Sequence, residues 1–397
     1  MKNILIVDDS ALMRRLISDI IKSDSRFEVK DLATNGLEAL DLIVKNYRTY
    51  DAVILDINMP KMNGLELLEQ LQKNKIKICV IMVSTLTKEG ANETIVALER
   101  GAFDFVTKPE NYLDARDAVF KNRLLETLCL ATRLPYPAAA AEDQKPRSPQ
   151  TIRRPVTTTG RSTPTAPNTG LGSGSEKKIP VRPPRNFSFA PHKSLTGSKV
   201  GKKKLIALAC STGGPKSLQS VIPKLPKDLD APLLLVQHMP KGFTNSLAVR
   251  LNEMSEVEVK EAADGDILKK GWVYIAPGGK QMRVERSGAN YKIVTTDEPE
   301  RDGLRPCANI MYESLAGSDF DEITCVVMTG MGADGTMGIG TLGEKNKIYV
   351  ISQDEATSVV YGMPKAIAEA KISDEVQPLE KIADAVTRNV GVLIHGR

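Results

Sequence analysis

The stretch Ala209-Cys210-Ser211-Thr212-Gly213-Gly214-Pro215 places one hydroxyl at the end of an apolar run, Leu205-Ile206-Ala207-Leu208-Ala209, and just before a glycine pair. A serine exposed on such a turn, followed by backbone N–H groups free of bulky side chains, is what an acyl-transfer nucleophile with an oxyanion site requires. The same letters also suit a helix cap followed by a permissive turn. A base and an orienting carboxylate at equivalent positions elsewhere decide between the two.

The chain has three histidines. His192 lies in a proline-rich stretch and His395 sits two residues from the C-terminus, whereas His238 follows the strand-like run 233–236 in Val236-Gln237-His238-Met239-Pro240. Asp334 lies in Met328-Thr329-Gly330-Met331-Gly332-Ala333-Asp334-Gly335, directly after the run 323–328, and its small neighbours let it approach another loop. Ser211, His238 and Asp334 thus follow three different predicted strands, an arrangement that reads as a nucleophile, its base and the group that orients the base. The chain order and the lack of a Gly-x-Ser-x-Gly elbow differ from the α/β-hydrolases, but triads are defined by geometry and role. Backbone N–H groups at Thr212, Gly213 and Gly214, with Met331 from the glycine-rich loop, are the expected oxyanion donors. Cys210 is a conceivable thiol nucleophile, but residues alternate along a strand, so it is expected to point away from the face that presents Ser211.

A second constellation is acidic. Asp8 and Asp9 follow the run 4–7, Asp56 follows 52–55, Ser84 and Thr85 follow 78–83, and Lys108 follows 103–106. Carboxylates gathered at strand ends suit a hard divalent cation such as Mg²⁺. A cation beside Asp56 screens its repulsion from a phosphoryl group and lets it act as nucleophile. Lys108 then supplies a point charge to the phosphoryl oxygens and Ser84 a hydrogen bond.

Both constellations need strands that end together. Over residues 1–120 the β-rich runs alternate with amphipathic helical runs at 11–22, 36–45, 64–72, 91–100 and 114–127, which predicts a parallel sheet covered by helices on both faces. The alternation resumes from 205, with strands expected over 205–209, 232–237, 273–276, 323–328 and 347–351. A hairpin is expected over 282–284 and 291–294 around Ser287-Gly288. Between them, residues 133–204 hold eleven of the 23 prolines and no hydrophobic period, the signature of a linker.

Charge locates in the same way. The net +5 conceals a surplus of +12 in 133–204, so the rest of the chain sums to −7. Two acidic folded parts joined by a basic connector argue against nucleic-acid binding. Five cysteines without metal-ligand spacing read as reduced thiols in the cytoplasm, and no apolar stretch approaches a membrane span.

Residues 1–120 resemble the receiver domain of two-component response regulators through Val7-Asp8-Asp9-Ser10, Leu55-Asp56-Ile57-Asn58-Met59-Pro60, Asn63-Gly64 and Thr107-Lys108-Pro109. The resemblance implies a flavodoxin-like (βα)5 fold, Asp56 as phosphoacceptor, Asp8 and Asp9 as metal-side carboxylates, Ser84 as switch hydroxyl and Phe105 as switch aromatic. It also implies Lys108 as the pocket cation, a cis Lys108–Pro109 bond, Mg²⁺ as cofactor and a histidine kinase as phosphoryl donor. The C-terminal half resembles the catalytic domain of the chemotaxis protein-glutamate methylesterases (CheB). The matching segments are Ser211-Thr212-Gly213-Gly214-Pro215, Gln237-His238-Met239-Pro240, Tyr274-Ile275-Ala276-Pro277-Gly278-Gly279, the loop 328–335, Ser352-Gln353-Asp354-Glu355-Ala356-Thr357-Ser358 and Tyr361-Gly362-Met363-Pro364. Cys210 and Cys307 depart from the alanine and serine usual in that family.

The expected organisation is a receiver over 1–122, a linker over 133–204 and a doubly wound, mostly parallel α/β catalytic domain with an antiparallel hairpin over 205–397. The resemblance implies a phosphorylation-regulated serine hydrolase. Its expected substrates are glutamyl methyl esters, and glutamine amides, on chemoreceptors, with no cofactor in the catalytic domain. A receiver joined to a non-enzymatic output module is the competing reading, and the constellation of Ser211, His238 and Asp334 argues against it.

Overall fold

The computed structural model describes residues 1–46, 48–109, 118–135 and 203–393. The expected linker lies almost wholly outside the described residues, as does the start of the helix expected over 114–127. The N-terminal elements are β1 (Lys2–Val7), α1 (Ala11–Lys22), β2 (Phe27–Ala33), α2 (Gly36–Asn46), β3 (Ala52–Asp56), α3 (Gly64–Lys73), β4 (Val80–Ser84), α4 (Lys88–Glu99), β5 (Asp104–Thr107) and α5 (Ala118–Ala131). Their strands form one parallel sheet in the order β2-β1-β3-β4-β5. Ile4 and Ile6 enter the core on one face of this sheet, Leu5 and Val7 the core on the other, as the period of two requires.

Local chemistry sets where these helices begin. The Ser10 hydroxyl accepts from Met13 N and caps α1, while Asn63 and Glu66 form a reciprocal capping box on α3. Gly64 is needed for close approach, since a Cβ there would lie 2.3 Å from the Asp56 carbonyl oxygen.

The C-terminal half runs β6 (Lys204–Cys210), α6 (Gly214–Val221), β7 (Leu233–Gln237), α7 (Phe243–Met254), β8 (Glu258–Glu261), β9 (Trp272–Ile275), β10 (Gln281–Ser287), β11 (Asn290–Thr296) and α8 (Ala308–Ser314). It continues with β12 (Glu322–Val327), α9 (Thr336–Gly343), β13 (Ile348–Gln353), α10 (Met363–Glu369), β14 (Glu375–Gln377) and α11 (Ile382–Val390). Seven strands form a parallel sheet in the order β14-β13-β12-β6-β7-β9-β8. Strand β6 is buried along its whole length, and after Lys204 its sequence is a continuous apolar run, as expected of a strand covered on both faces. The expected hairpin is present as β10–β11, but it forms a two-stranded sheet of its own. Strands β8 and β14 were not expected; Glu258–Glu261 and Glu375–Gln377 are short, polar edge segments without an apolar run.

The two sheets share an interface. Helix α4 packs on α7, and Glu99 takes two hydrogen bonds from Arg250, Nε to Oε1 at 2.5 Å and Nη2 to Oε2 at 3.2 Å. Phe105 on β5 stacks on Phe243 at the start of α7, with centroids 4.7 Å apart and planes 18° from parallel. Among the described residues no helix is long and apolar enough to cross a membrane.

Candidate active site

In an open parallel sheet, ligands collect beyond the strand carboxyl ends where the strand order reverses. Each sheet has one such point. In the N-terminal sheet the chain leaves β1 for β2 on one side and reaches β3 on the other, so Asp8, Asp9 and Asp56 flank the crevice. In the C-terminal sheet β6 lies between β7 and β12, so Ser211, His238 and Asp334 follow three adjacent strands.

The acidic crevice holds carboxylate oxygens of Asp8, Asp9 and Asp56 within 4.8 Å of one another. Asp8 and Asp56 are buried and Asp9 is exposed. Lys108 Nζ sits between the buried pair, 2.8 Å from Asp56 and 2.9 Å from Asp8. Burial lifts Asp56 to a pKa of about 6 against the pull of Lys108, and the Asp8 charge adds to the rise. Burial works against the Lys108 charge, but the two carboxylates hold its pKa above the ordinary lysine value. This all-oxygen donor set, with a buried pair and one open ligand, fits a hard divalent cation.

One expectation fails here. Lys108–Pro109 is not cis: among the described residues the cis bond is Arg305–Pro306. The trans form is the ordinary preference of an X–Pro bond, and the Lys108 N–H donates to the Ser84 carbonyl at 2.7 Å. Ser84 stands at the end of β4. Its hydroxyl donates to the Gly90 carbonyl at 3.1 Å and accepts from Thr94 at 2.8 Å, which ties it to α4.

In the second crevice His238 Nε2 donates to Asp334 Oδ2 at 2.8 Å. The remaining nitrogen, Nδ1, is then the unprotonated one, available as a base. Asp334 sits in a cradle of donors: Ala308 N at 2.6 Å to Oδ2, with Asn309 N, Gly335 N and the Cys307 thiol at 2.9, 2.9 and 3.2 Å to Oδ1. Burial works against its charge, but His238 and the backbone donors outweigh it and hold the carboxyl below its ordinary value.

Ser211 is held by backbone on both sides. Its N–H donates to the Thr329 carbonyl at 3.0 Å, and His238 N donates to the Cys210 carbonyl at 3.2 Å. These two bonds lock the ends of β12, β6 and β7 together. Among the described residues no hydrogen bond joins the Ser211 hydroxyl to His238, a contact that resting hydrolases commonly complete only when substrate is bound. Gly213 adopts φ +77°, and a Cβ there would come within 2.5 Å of Val359.

Of the expected oxyanion donors, Gly214 is excluded, because its N–H already donates to the Ser211 carbonyl at 2.7 Å as part of the turn. Among the described residues the N–H groups of Thr212, Gly213 and Met331 have no hydrogen-bond acceptor. Cys210 packs with Ile206 and Leu208 on the side of the sheet opposite Leu205 and Ala207. Its thiol donates to Gln237 Oε1 at 3.0 Å, and burial holds its pKa well above the ordinary range. Such a thiol is a poor nucleophile.

Sequence reasoning overlooked Gln237, the polar end of an otherwise apolar β7. Its amide donates to the carbonyls of Ser211, at 3.0 Å, and His238, at 3.2 Å, and so fixes nucleophile and base to one another. The crevice is also covered from the N-terminal half. A cavity of about 480 Å³ is bounded on one side by Ser211, His238 and Met331 and on the other by Asp104, Arg123 and Glu126 of the N-terminal half.

Comparison with known proteins gives matches over both halves. The family model of the CheB methylesterase matches residues 206–386, and that of the response regulator receiver domain matches residues 4–120. The protein-glutamate methylesterase/protein-glutamine glutaminase of Halalkalibacterium halodurans is 39% identical over 387 residues, which are 97% of this chain and 97% of the relative. The protein of the same name from Pyrococcus abyssi is 37% identical over 393 residues, 99% of this chain and 95% of the relative. The crystal structure of the Thermotoga maritima CheB methylesterase catalytic domain is 39% identical and covers 47% of this chain and 97% of that one, with a TM-score of 0.45.

Proposed function

Because the chain belongs to the protein-glutamate methylesterase/protein-glutamine glutaminase family, we propose that Ser211, His238 and Asp334 carry its hydrolytic chemistry and Asp56 its phosphorylation. The protein is a receiver-linked hydrolase of glutamyl methyl esters, serving adaptation in chemotaxis. The catalytic domain spans 205–397, the receiver 1–122, and 133–204 joins them. The observation that carries the triad is the 2.8 Å contact of His238 with Asp334, at the end of the strands on either side of Ser211.

The reaction follows from that geometry. His238 Nδ1 takes the Ser211 proton as Oγ attacks the ester carbonyl, and Asp334 stabilises the imidazolium that forms. Thr212, Gly213 and Met331 offer N–H groups to the oxyanion. His238 returns its proton to the departing methanol, then activates the water that cleaves the acyl-serine and frees a glutamate. A glutamine amide follows the same path and releases ammonia. The catalytic domain uses no cofactor in this scheme.

In the receiver, Asp8, Asp9 and Asp56 would hold Mg²⁺, which when bound neutralises charge on the transferring phosphoryl group. Asp56 is the attacking carboxylate and Lys108 the cation that meets the transferred oxygens. A histidine kinase is the donor and methylated chemoreceptors are the substrate, both met in the cytoplasm.

The receiver also governs access. Its β5 and α5 wall the cavity in front of Ser211, so in this arrangement a receptor segment meets protein instead of the nucleophile. Phosphorylation of Asp56 draws on Lys108 and competes for the Ser84 hydroxyl now bound to α4, the helix that grips α7. The equilibrium then shifts toward an open form. The test is methanol release from methylated receptors, with and without a phosphoryl donor, for wild type, Ser211→Ala and Asp56→Ala. Release that survives Ser211→Ala, or wild-type release unchanged by the donor, refutes the corresponding half of the reading.

A further inference from the structure

Arg305 lines the catalytic cavity beside Ser211 and His238, and among the described residues it is the arginine there without an ionic partner. Its Nε is buried with no hydrogen bond, and its guanidinium makes a single long contact, Nη1 to the Glu298 carbonyl at 3.4 Å. The neighbouring arginines are all engaged: Arg301 with Glu313 at 2.6 Å, Arg283 with Glu298 at 2.7 Å, and Arg123 with Glu126 at 3.0 Å. Glu300 and Asp302 line the same cavity, yet neither comes within ion-pair distance of Arg305.

A guanidinium nitrogen buried without a partner is costly, and such a group calls for an explanation. The oxyanion does not supply one, since the N–H groups of Thr212, Gly213 and Met331 are unclaimed and adjoin the serine. The scissile group does not either, because a methyl ester or an amide carries no charge until it is hydrolysed. A planar donor fork of this kind pairs best with a carboxylate. That carboxylate must come from the substrate chain, next to the residue being hydrolysed.

We infer that Arg305 is a specificity residue that binds a carboxylate flanking the esterified glutamyl side chain, so that the enzyme selects acidic receptor segments. The inference rests on the esterase reading. Arg305 contributes to substrate binding and takes no part in bond making, and its contact becomes available when the receiver vacates the cavity.

The test uses the full chain with a small-molecule phosphoryl donor and two synthetic peptides. Each carries one glutamyl γ-methyl ester, flanked by glutamates in one peptide and by serines in the other. Wild type shows the lower KM on the glutamate-flanked peptide, and added salt shrinks the difference. Arg305→Gln raises KM on that peptide by about tenfold, to the level of the serine-flanked one, and leaves kcat on both within about twofold. Arg305→Lys retains part of the preference. Intact turnover of the serine-flanked peptide by Arg305→Gln shows that the variant is folded. An equal KM rise on both peptides, a kcat loss on both, or no change on either overturns the assignment. Methanol release from neither peptide by wild type overturns the esterase reading itself, and the assignment with it.

Discussion

His238 gives Nε2 to Asp334 Oδ2 at 2.8 Å, which leaves Nδ1 as the nitrogen that serves Ser211. Asp334 accepts from donors at both of its oxygens, so an amide in its place would set its NH₂ group against at least two of them. Asp334→Asn is therefore expected to lower kcat by roughly 10³–10⁴-fold, through loss of the working tautomer. It should also lower the melting temperature. The carboxyl lies below its ordinary 3.8 in the folded chain, so its stabilisation is complete above pH 3.8 and fades as pH falls through the lowered value. Melting curves of wild type and variant should stay apart near neutrality and converge only in that acid range. A constant gap across it contradicts the account.

The two unusual cysteines predict different outcomes. Cys210 is buried, protonated and engaged with Gln237, so Cys210→Ala should keep kcat within a few-fold and cost about 1 kcal/mol of stability. Cys307 donates to Asp334, and burial beside that carboxylate pushes its thiol up to about 12, so it stays a neutral donor at working pH. Cys307→Ser keeps the donor and should preserve the pH profile. Cys307→Ala removes it, which makes Asp334 more basic and shifts the acid limb of kcat/KM upward. Superimposable profiles for the two variants would refute the role.

Gly213 joins a left-handed φ of +77° to a close approach by Val359. Gly213→Ala strains the backbone that carries an expected oxyanion donor, so it should cost at least ~1 kcal/mol and lower kcat more than KM. Val359→Ala relieves the steric part alone. If the double variant recovers full activity, steric contact and not backbone conformation was the constraint.

Much of this arrangement is legible in the chain, for a physical reason. Parallel α/β sheets bring strand ends together, so polar residues that follow apolar runs announce a crevice; Ser211, His238 and Asp334, and likewise Asp8 and Asp56, could be placed on that basis. What depends on contacts between distant segments could not. The cradle around Asp334 comes from the start of α8, reached through the irregular segment 297–307. Ser84 ends a strand as read, but the direction of its hydroxyl is set by Thr94 and Gly90. The contacts of Phe105 with Phe243 and of Glu99 with Arg250 join the two halves of the chain, and nothing in either half alone signals them.

Those contacts make the closed arrangement separable from the chemistry. The Glu99–Arg250 pair is partly exposed, which limits its worth to about 0–1 kcal/mol. Glu99→Ala should raise methanol release without donor by up to about fivefold and leave donor-stimulated release unchanged. Phe243→Ala removes the stacked ring on which Phe105 rests and should raise it further. Unchanged release without donor in both variants would mean that this face does not hold the receiver down.

Asp104 provides a pH test of the same closure. It lies on β5 and lines the covered cavity, together with Thr212 of the catalytic half. Burial raises its pKa, opposed by Arg123, whose Nη2 is 3.7 Å away, by the Phe105 N–H and by the Thr212 hydroxyl. If opening returns the carboxyl to water and its ordinary 3.8, the closed form binds the proton more tightly. Closure is then favoured at low pH and weakens as pH rises from 3.8 through the raised value. The ratio of donor-free to donor-stimulated release cancels the pH dependence of the chemical step itself, and it should climb across that window. Asp104→Asn removes the buried charge, so it should flatten the climb and hold the ratio low above it. A ratio that climbs identically in wild type and variant would assign the pH dependence to another group.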